Sequence, residues 1–193
     1  MRPSVLNNGY RAGPKLLFRL IRLVSGHPAP DAAKITFYRS DFYGTHMKKF
    51  TQEVMRGRST WSVGDRELMA AYVSKVNDSP FCVGAHTATA AGAYQDEETV
   101  AAVLADLDSA QIDNGLAATL RMLGKLTSEG TLNADDIRVV LSTGVSRQQI
   151  EDALAVSFAF NTTDRLANAF AFEVLSHEGF EAGAKYLLKR GYR

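Results

Sequence analysis

Cys82, His86 and Glu67 are the residues whose types and spacing could do chemistry together. Cys82 is the only cysteine in the 193-residue chain; His86 lies four residues after it and Glu67 fifteen before it. A thiolate attacks electrophiles where a thiol does not, and an ordinary thiol with a pKa of about 8.5 is only a few per cent ionised at neutral pH. A histidine at i+4 shares a helical face with the sulfur and can take its proton directly or through one water. A carboxylate behind that histidine can orient it and raise its basicity, the arrangement of a base and its orienter. Ser79 stands three residues before Cys82, where a redox pair would carry a second cysteine. As an N-cap ahead of Pro80 it predicts a helix whose third residue is Cys82, with free amides and the positive helix end favouring thiolate. The opposite reading of the same residues stays open. A lone cysteine in a helix rich in Ala and Gly is commonly a small buried hydrophobe, and Glu67 alone would be a solvated helix residue.

A site of this kind needs a scaffold. The chain is 46% hydrophobic, enough to bury a core without staples, and one cysteine forbids an internal disulfide. It carries 22 basic and 21 acidic side chains, which argues against a broad nucleic-acid footprint. No apolar run approaches the ~20 residues of a bilayer span. The nearest, residues 14–26, is interrupted by Arg19 and Arg22, with Leu16, Leu20, Leu23 and Val24 on one helical face and Lys15, Arg19 and Arg22 on another. Such a helix can lie on an anionic membrane. The expectation is a surface helix packed on the core or on another subunit.

Helical signals dominate the rest. Residues 30–39 and 41–56 read as two linked helices ending near Gly57. Ser62 with Asp65, and Ser146 with Gln149, have capping-box spacing, and Asn133 caps a short element. Leu68, Ala71, Tyr72 and Val76 would face inward from the helix after Ser62. A final helix follows Gly179. No segment alternates as a strand does. The expectation is an all-α single domain over 1–193, with a core motif at 62–94 and a C-terminal helical half at 113–193. Helix–turn–helix units are expected around 62–94 and 146–176.

The stretch "GDRELMAAYVSKVNDSPFCVGAH" resembles the core motif of the alkyl hydroperoxidase D-like proteins of the carboxymuconolactone decarboxylase superfamily. That motif places a glutamate, a Cys-x-x-Cys pair and a histidine four residues after the second cysteine. Glu67, Ser79, Cys82 and His86 fall on its spacing. "PDAAKITFYRSDFYG" upstream and "FNTTDRLANAFAFE" downstream are similar to the peroxidase-related branch, so the likeness runs over most of residues 14–175. The resemblance implies an all-helical fold assembled into trimers or hexamers. It implies a peroxidatic Cys82 with His86 and Glu67 as its proton relay, and a mainly structural role for Asn161 and Arg165. Ser79 departs from the motif. A serine cannot close a disulfide, so a sulfenic acid at Cys82 would need an external thiol.

Three readings follow. The first is a one-cysteine peroxidase-like enzyme acting on hydrogen or organic hydroperoxides, cytoplasmic, with an external thiol reductant and no cofactor. The second is a non-redox lyase using His86 and Glu67 as acid and base, with Arg165 or another cation holding a substrate carboxylate. The third is an inactive ligand-binding or redox-sensing protein. No metal is expected: Cys82, His86, Glu67 and His46 do not form a standard zinc spacing. Nor is a nucleic-acid or membrane partner; a homo-oligomer is.

Overall fold

The computed structural model describes residues 4–192, with the backbone alone at Val5. Every regular element among them is helical. In chain order these are α1 (Val5–Asn8), α2 (Ala12–Ser25), α3 (Asp31–Tyr38), a π-helical turn (Ser40–Gly44), α4 (Thr45–Arg56), α5 (Val63–Val76), α6 (Pro80–Tyr94), α7 (Glu97–Ala105), α8 (Asn114–Glu129), α9 (Ala134–Ser142), α10 (Arg147–Ala169) and α11 (His177–Arg190).

Helix α5 is the axis of the fold. Residues 66–71 of α5 are all buried, because α6, α8 and α10 each pack against it. Leu68 and Ala71 face inward as expected, whereas Val76 is exposed at the helix end. The helix opens with the Ser62–Asp65 capping box, and the Ser146–Gln149 and Asn133–Asp136 boxes open α10 and α9. Helix α10 lays one stripe, Ile150, Ala153, Val156, Phe160, Asp164 and Ala167, along the core at a spacing near 3.5 residues. Its 23 residues run unbroken, so the second helix–turn–helix expected at 146–176 is not formed. No proline or glycine interrupts residues 147–169.

Two further boundaries differ from expectation. The junction after Tyr38 is a π-helical turn in which the amides of Tyr43 and Gly44 both donate to the Arg39 carbonyl. The last helix begins at His177 rather than after Gly179, because Ser176 caps the Gly179 amide.

Two apolar clusters flank the α5–α6 pair. The larger is built from α5, α7, α8, α9 and α10 around Leu68, Leu120, Leu123, Val156 and Phe160. The smaller gathers Leu6 of α1, Ile35 of α3, Phe81 and Cys82 of α6, Ala167 of α10 and Phe172. Full burial of one such aliphatic or aromatic side chain is worth about 1.5–3 kcal/mol.

Candidate functional site

Glu67 sits mid-helix in α5 with no exposed surface. The chain then turns at Asn77–Ser79, with Asp78 in the left-handed region at φ 53. Asn168 of α10 pins this turn by donating to the carbonyls of Asn77 and Asp78 at 3.1 and 3.2 Å. Helix α6 therefore returns beside α5, and His86 Nδ1 meets Glu67 Oε2 at 2.7 Å. With Glu67 ionised, Nδ1 carries a proton and donates, which leaves Nε2 as the ring nitrogen that Glu67 does not engage.

Two further residues complete this carboxylate. Arg56, at the end of α4, donates from Nη2 to Glu67 Oε1 at 2.6 Å. Its place is set by Arg66, whose guanidinium holds the carbonyls of Val54 and Gly57 at 3.0 Å. Tyr192, beyond α11, donates its hydroxyl to Glu67 at 2.9 and 3.1 Å. Gly191 makes that reach possible. Its φ of 69 with ψ −153 belongs to a region that only glycine occupies easily, and a Cβ there would strike Gln52, which receives the Tyr192 amide at 2.7 Å. The Tyr192 ring lies 19° from parallel to His86, with Arg56 over it and the Phe160 edge on the other ring.

Burial works to raise the Glu67 pKa. The His86 hydrogen bond and the attraction of His86 and Arg56 outweigh it and hold the carboxyl below its ordinary range. Tyr192 is pushed up by burial and by the Glu67 charge, so it stays a donor.

Cys82 differs from expectation. It is the third residue of α6, as read from the sequence, but its burial opposes the thiolate that the helix end favours. Cys82 is 2% exposed within the smaller apolar cluster, and burial followed by the charge of Asp164 drives the thiol far up. Ser79 holds the N-cap position without capping. Its ψ of 85, against 161–167 at the serine caps of α5, α10 and α11, leaves its hydroxyl without a regular hydrogen bond, although it still favours thiolate at Cys82. Cys82 and His86 share a buried face, yet no hydrogen bond joins them directly.

Asp164 of α10 is a site residue that the sequence reading missed. It is fully buried, and its charge helps push the Cys82 thiol up. An acid on the apolar stripe of α10 was the signal that could have found it. Asn161 ties α10 to Asn77 at 3.1 Å and to Thr127 at 3.3 Å, and is held within α10 by Ser157 at 3.0 Å, a structural role as expected. Arg165 points from the exposed face of α10, and His46 is exposed on α4, so neither joins the buried group.

Two depressions lie on this surface, and Cys82 lines neither. The nearer one, about 510 Å³, lies over the start of α6 and is lined by Pro80, Phe81, Asn168 and Phe172 among others. Phe81 and Phe172, packed edge to face at 5.4 Å, are members of the same apolar cluster as Cys82.

Residues 43–125 match the model of the Carboxymuconolactone decarboxylase family. No curated protein matches the chain by sequence. Among solved structures, an uncharacterized peroxidase-related protein from Silicibacter sp. TM1040 superposes with a TM-score of 0.77 and 21% identity, covering 92% of each chain. A second, an alkylhydroperoxidase AhpD core described as an uncharacterized peroxidase-related protein from Ralstonia eutropha JMP134, superposes at 0.75 with 17% identity, covering 90% of this chain and 91% of the other. At these identities the likeness is one of fold.

Proposed function

We propose that this chain, which belongs to the alkyl hydroperoxidase D-like carboxymuconolactone decarboxylase superfamily, is a one-cysteine peroxide-reducing protein with gated access to its thiol. The observation that carries the reading is the buried His86–Glu67 pair, 2.7 Å apart, with His86 on the same face of α6 as Cys82. Arg56 and Tyr192 hold the carboxylate in its orienting position. The reaction takes Cys82 thiol and a hydroperoxide to a sulfenic acid and an alcohol or water. Two equivalents of an external thiol then return the sulfenic acid to thiol, releasing water and a disulfide, because Ser79 cannot resolve it.

The buried, proton-holding thiol favours a second reading, an inactive redox-sensing or ligand-binding protein. Rates separate the two. Oxidation of Cys82 by hydrogen peroxide and by a bulky organic hydroperoxide is followed across pH, with sulfenic acid trapped and located by mass spectrometry. The peroxide reading expects oxidation faster than a free thiol and slowed about tenfold or more in both Glu67→Gln and His86→Ala. Oxidation no faster than a free thiol and indifferent to both substitutions would leave the second reading. The lyase reading loses its named anchor, since Arg165 faces solvent.

A further inference from the structure

Glu67 receives more donors than a carboxylate needs merely to orient a histidine. Oε1 takes Arg56 Nη2 at 2.6 Å and the Tyr192 hydroxyl at 2.9 Å. Oε2 takes His86 Nδ1 at 2.7 Å and the same hydroxyl at 3.1 Å. One phenol thus spans both oxygens, and its own oxygen stands 3.5 Å from His86 Nδ1. Arg66, the other cation that α5 brings to this region, turns instead to the carbonyls of Val54 and Gly57. The seat of Tyr192 is specific. Gln52 and Arg56 lie one turn apart on α4; Gln52 Oε1 takes the Tyr192 amide at 2.7 Å, and the Arg56 guanidinium lies 5.1 Å over the Tyr192 ring. Arg56 is itself anchored, donating to the carbonyls of Met55 at 2.8 Å and Leu187 at 3.3 Å, so its charge stays beside Oε1.

We propose that Tyr192 is a positioning residue that, with Arg56, holds Glu67 as a fixed anion, so that a proton taken up by His86 stays on the imidazole and does not pass on to the carboxylate. The contacts decide the balance. Moving the proton from Nδ1 to Oε2 would leave the Arg56 charge beside a neutral carboxyl in a buried place, and the Tyr192 hydroxyl on a weaker acceptor. Both losses oppose the transfer. Burial works to raise the Glu67 carboxyl, yet its His86 and Arg56 contacts hold it below its ordinary range. Burial and the Glu67 charge push the Tyr192 phenol up, so it remains a donor. On the peroxide reading, which this last step rests on, Glu67 is then the counter-charge of an imidazolium and not a second proton carrier. The hydroxyl at position 192 sets where the relay stops.

Tyr192→Phe keeps the ring, its stack on His86 and its backbone anchor on Gln52, and removes only the hydroxyl. Infrared spectra of protein carrying 13C-labelled glutamate carboxylates follow Glu67 against pH, its band assigned by loss in Glu67→Gln. In the wild type that band is expected to stay a carboxylate band as pH falls through about 4.3, the ordinary glutamate value. In Tyr192→Phe its protonation is expected about one pH unit higher than in the wild type. Labelling with 15N-histidine reads the other partner: Nδ1 of His86, assigned by loss in His86→Ala, is expected to keep its directly bonded proton throughout. Gly191→Ala carries the test if Tyr192→Phe fails to fold. It leaves every side chain on Glu67 unaltered but sets a Cβ against Gln52, and it is expected to move the Glu67 titration the same way. A Glu67 titration unmoved by loss of the hydroxyl, or a protonated Glu67 band in the wild type at neutral pH with Nδ1 bare, overturns the proposal. Slow peroxide oxidation of wild-type Cys82 beside the expected band and Nδ1 proton would sink the peroxide reading and leave the fixed anion standing.

Discussion

The two buried carboxylates near the sulfur respond to acid in opposite directions. Glu67 is held below its ordinary pKa, so its ionised form stabilises the fold above about pH 4.3, and that contribution disappears as pH falls through the depressed folded value. Asp164 is held above its ordinary pKa, so its ionisation costs stability at neutral pH and acid relieves the cost. Glu67→Gln should therefore flatten the acid-side fall in thermal stability. It should also lower neutral stability by about 3–5 kcal/mol, because Arg56 is left buried without its partner. Thermal melts between about pH 3 and 7 test this, and an unchanged acid slope would mean that Glu67 is not the group being titrated. These residues also mark where sequence reading reaches and where it stops. Glu67, Cys82 and His86 were legible because one helical turn and one tight hairpin between two helices fix their separations. Arg56 and Tyr192 were not, because they come from α4 and from the chain end, 11 and 125 residues from Glu67. Which of the two readings of Cys82 its surroundings favour was not legible for the same reason. Helix position is local, while the apolar wall from α1, α3 and α10 and the Asp164 charge are tertiary.

At the scale of elements, the site is closed by the interlock of α6 with α11. Gly84 and Gly92, eight residues apart on α6, receive Phe180 and Leu188, eight apart on α11. A Cβ at Gly84 would meet the Phe180 ring, and one at Gly92 would stand 3.0 Å from Leu188. This close approach carries the chain onward to Gly191 and sets Tyr192 on Glu67. Gly84→Val should push α11 outward, cost about 1–3 kcal/mol, and release the tail. Cys82 should then react several times faster with a bulky thiol reagent while the helical circular dichroism is kept. If labelling is unchanged at the same loss of stability, the barrier to the sulfur lies elsewhere, with Phe81 and Phe172 the next gate to test. The helices themselves were largely readable: the caps at Ser62, Asn133 and Ser146 mark real starts, and Gly57 marks a real end. The errors fell where tertiary contact overrides a local signal. The π-helical turn has no cap or breaker to announce it, and α10 continues where a short helix–turn–helix was expected.

At the scale of the whole molecule, α2 is the element the fold does not explain. It has no buried residue, and Leu16, Leu20, Leu23 and Val24 are 66%, 55%, 82% and 82% exposed. Phe18 is its tether, edge to face with Tyr10 at 5.1 Å and with Phe37 at 5.6 Å. A contiguous apolar stripe of this kind on one chain marks a surface that something covers. Its charge narrows what that is. The first 30 residues hold Arg2, Arg11, Lys15, Arg19 and Arg22 and no acid, while all 21 acidic residues lie in the rest of the chain. A second copy thus offers both an apolar surface and the complementary charge. Homo-oligomerisation through α2 is the prediction, with Leu20→Glu and Leu23→Glu together as the probe. The wild type should exceed 21.1 kDa in solution at micromolar concentration, and the double variant should fall toward that monomer mass without losing helix. No helix among the described residues is long and apolar enough to cross a membrane. A wild type already at 21.1 kDa, together with binding to anionic vesicles that the same double substitution abolishes, would instead make α2 a helix that lies on a lipid surface. Assembly matters for the site as well. A second copy resting on α2 would load α1 and α3, which contribute Leu6 and Ile35 to the wall around Cys82. Reactivity of the thiol should therefore rise in the dissociated double variant, and an unchanged labelling rate would separate assembly from gating.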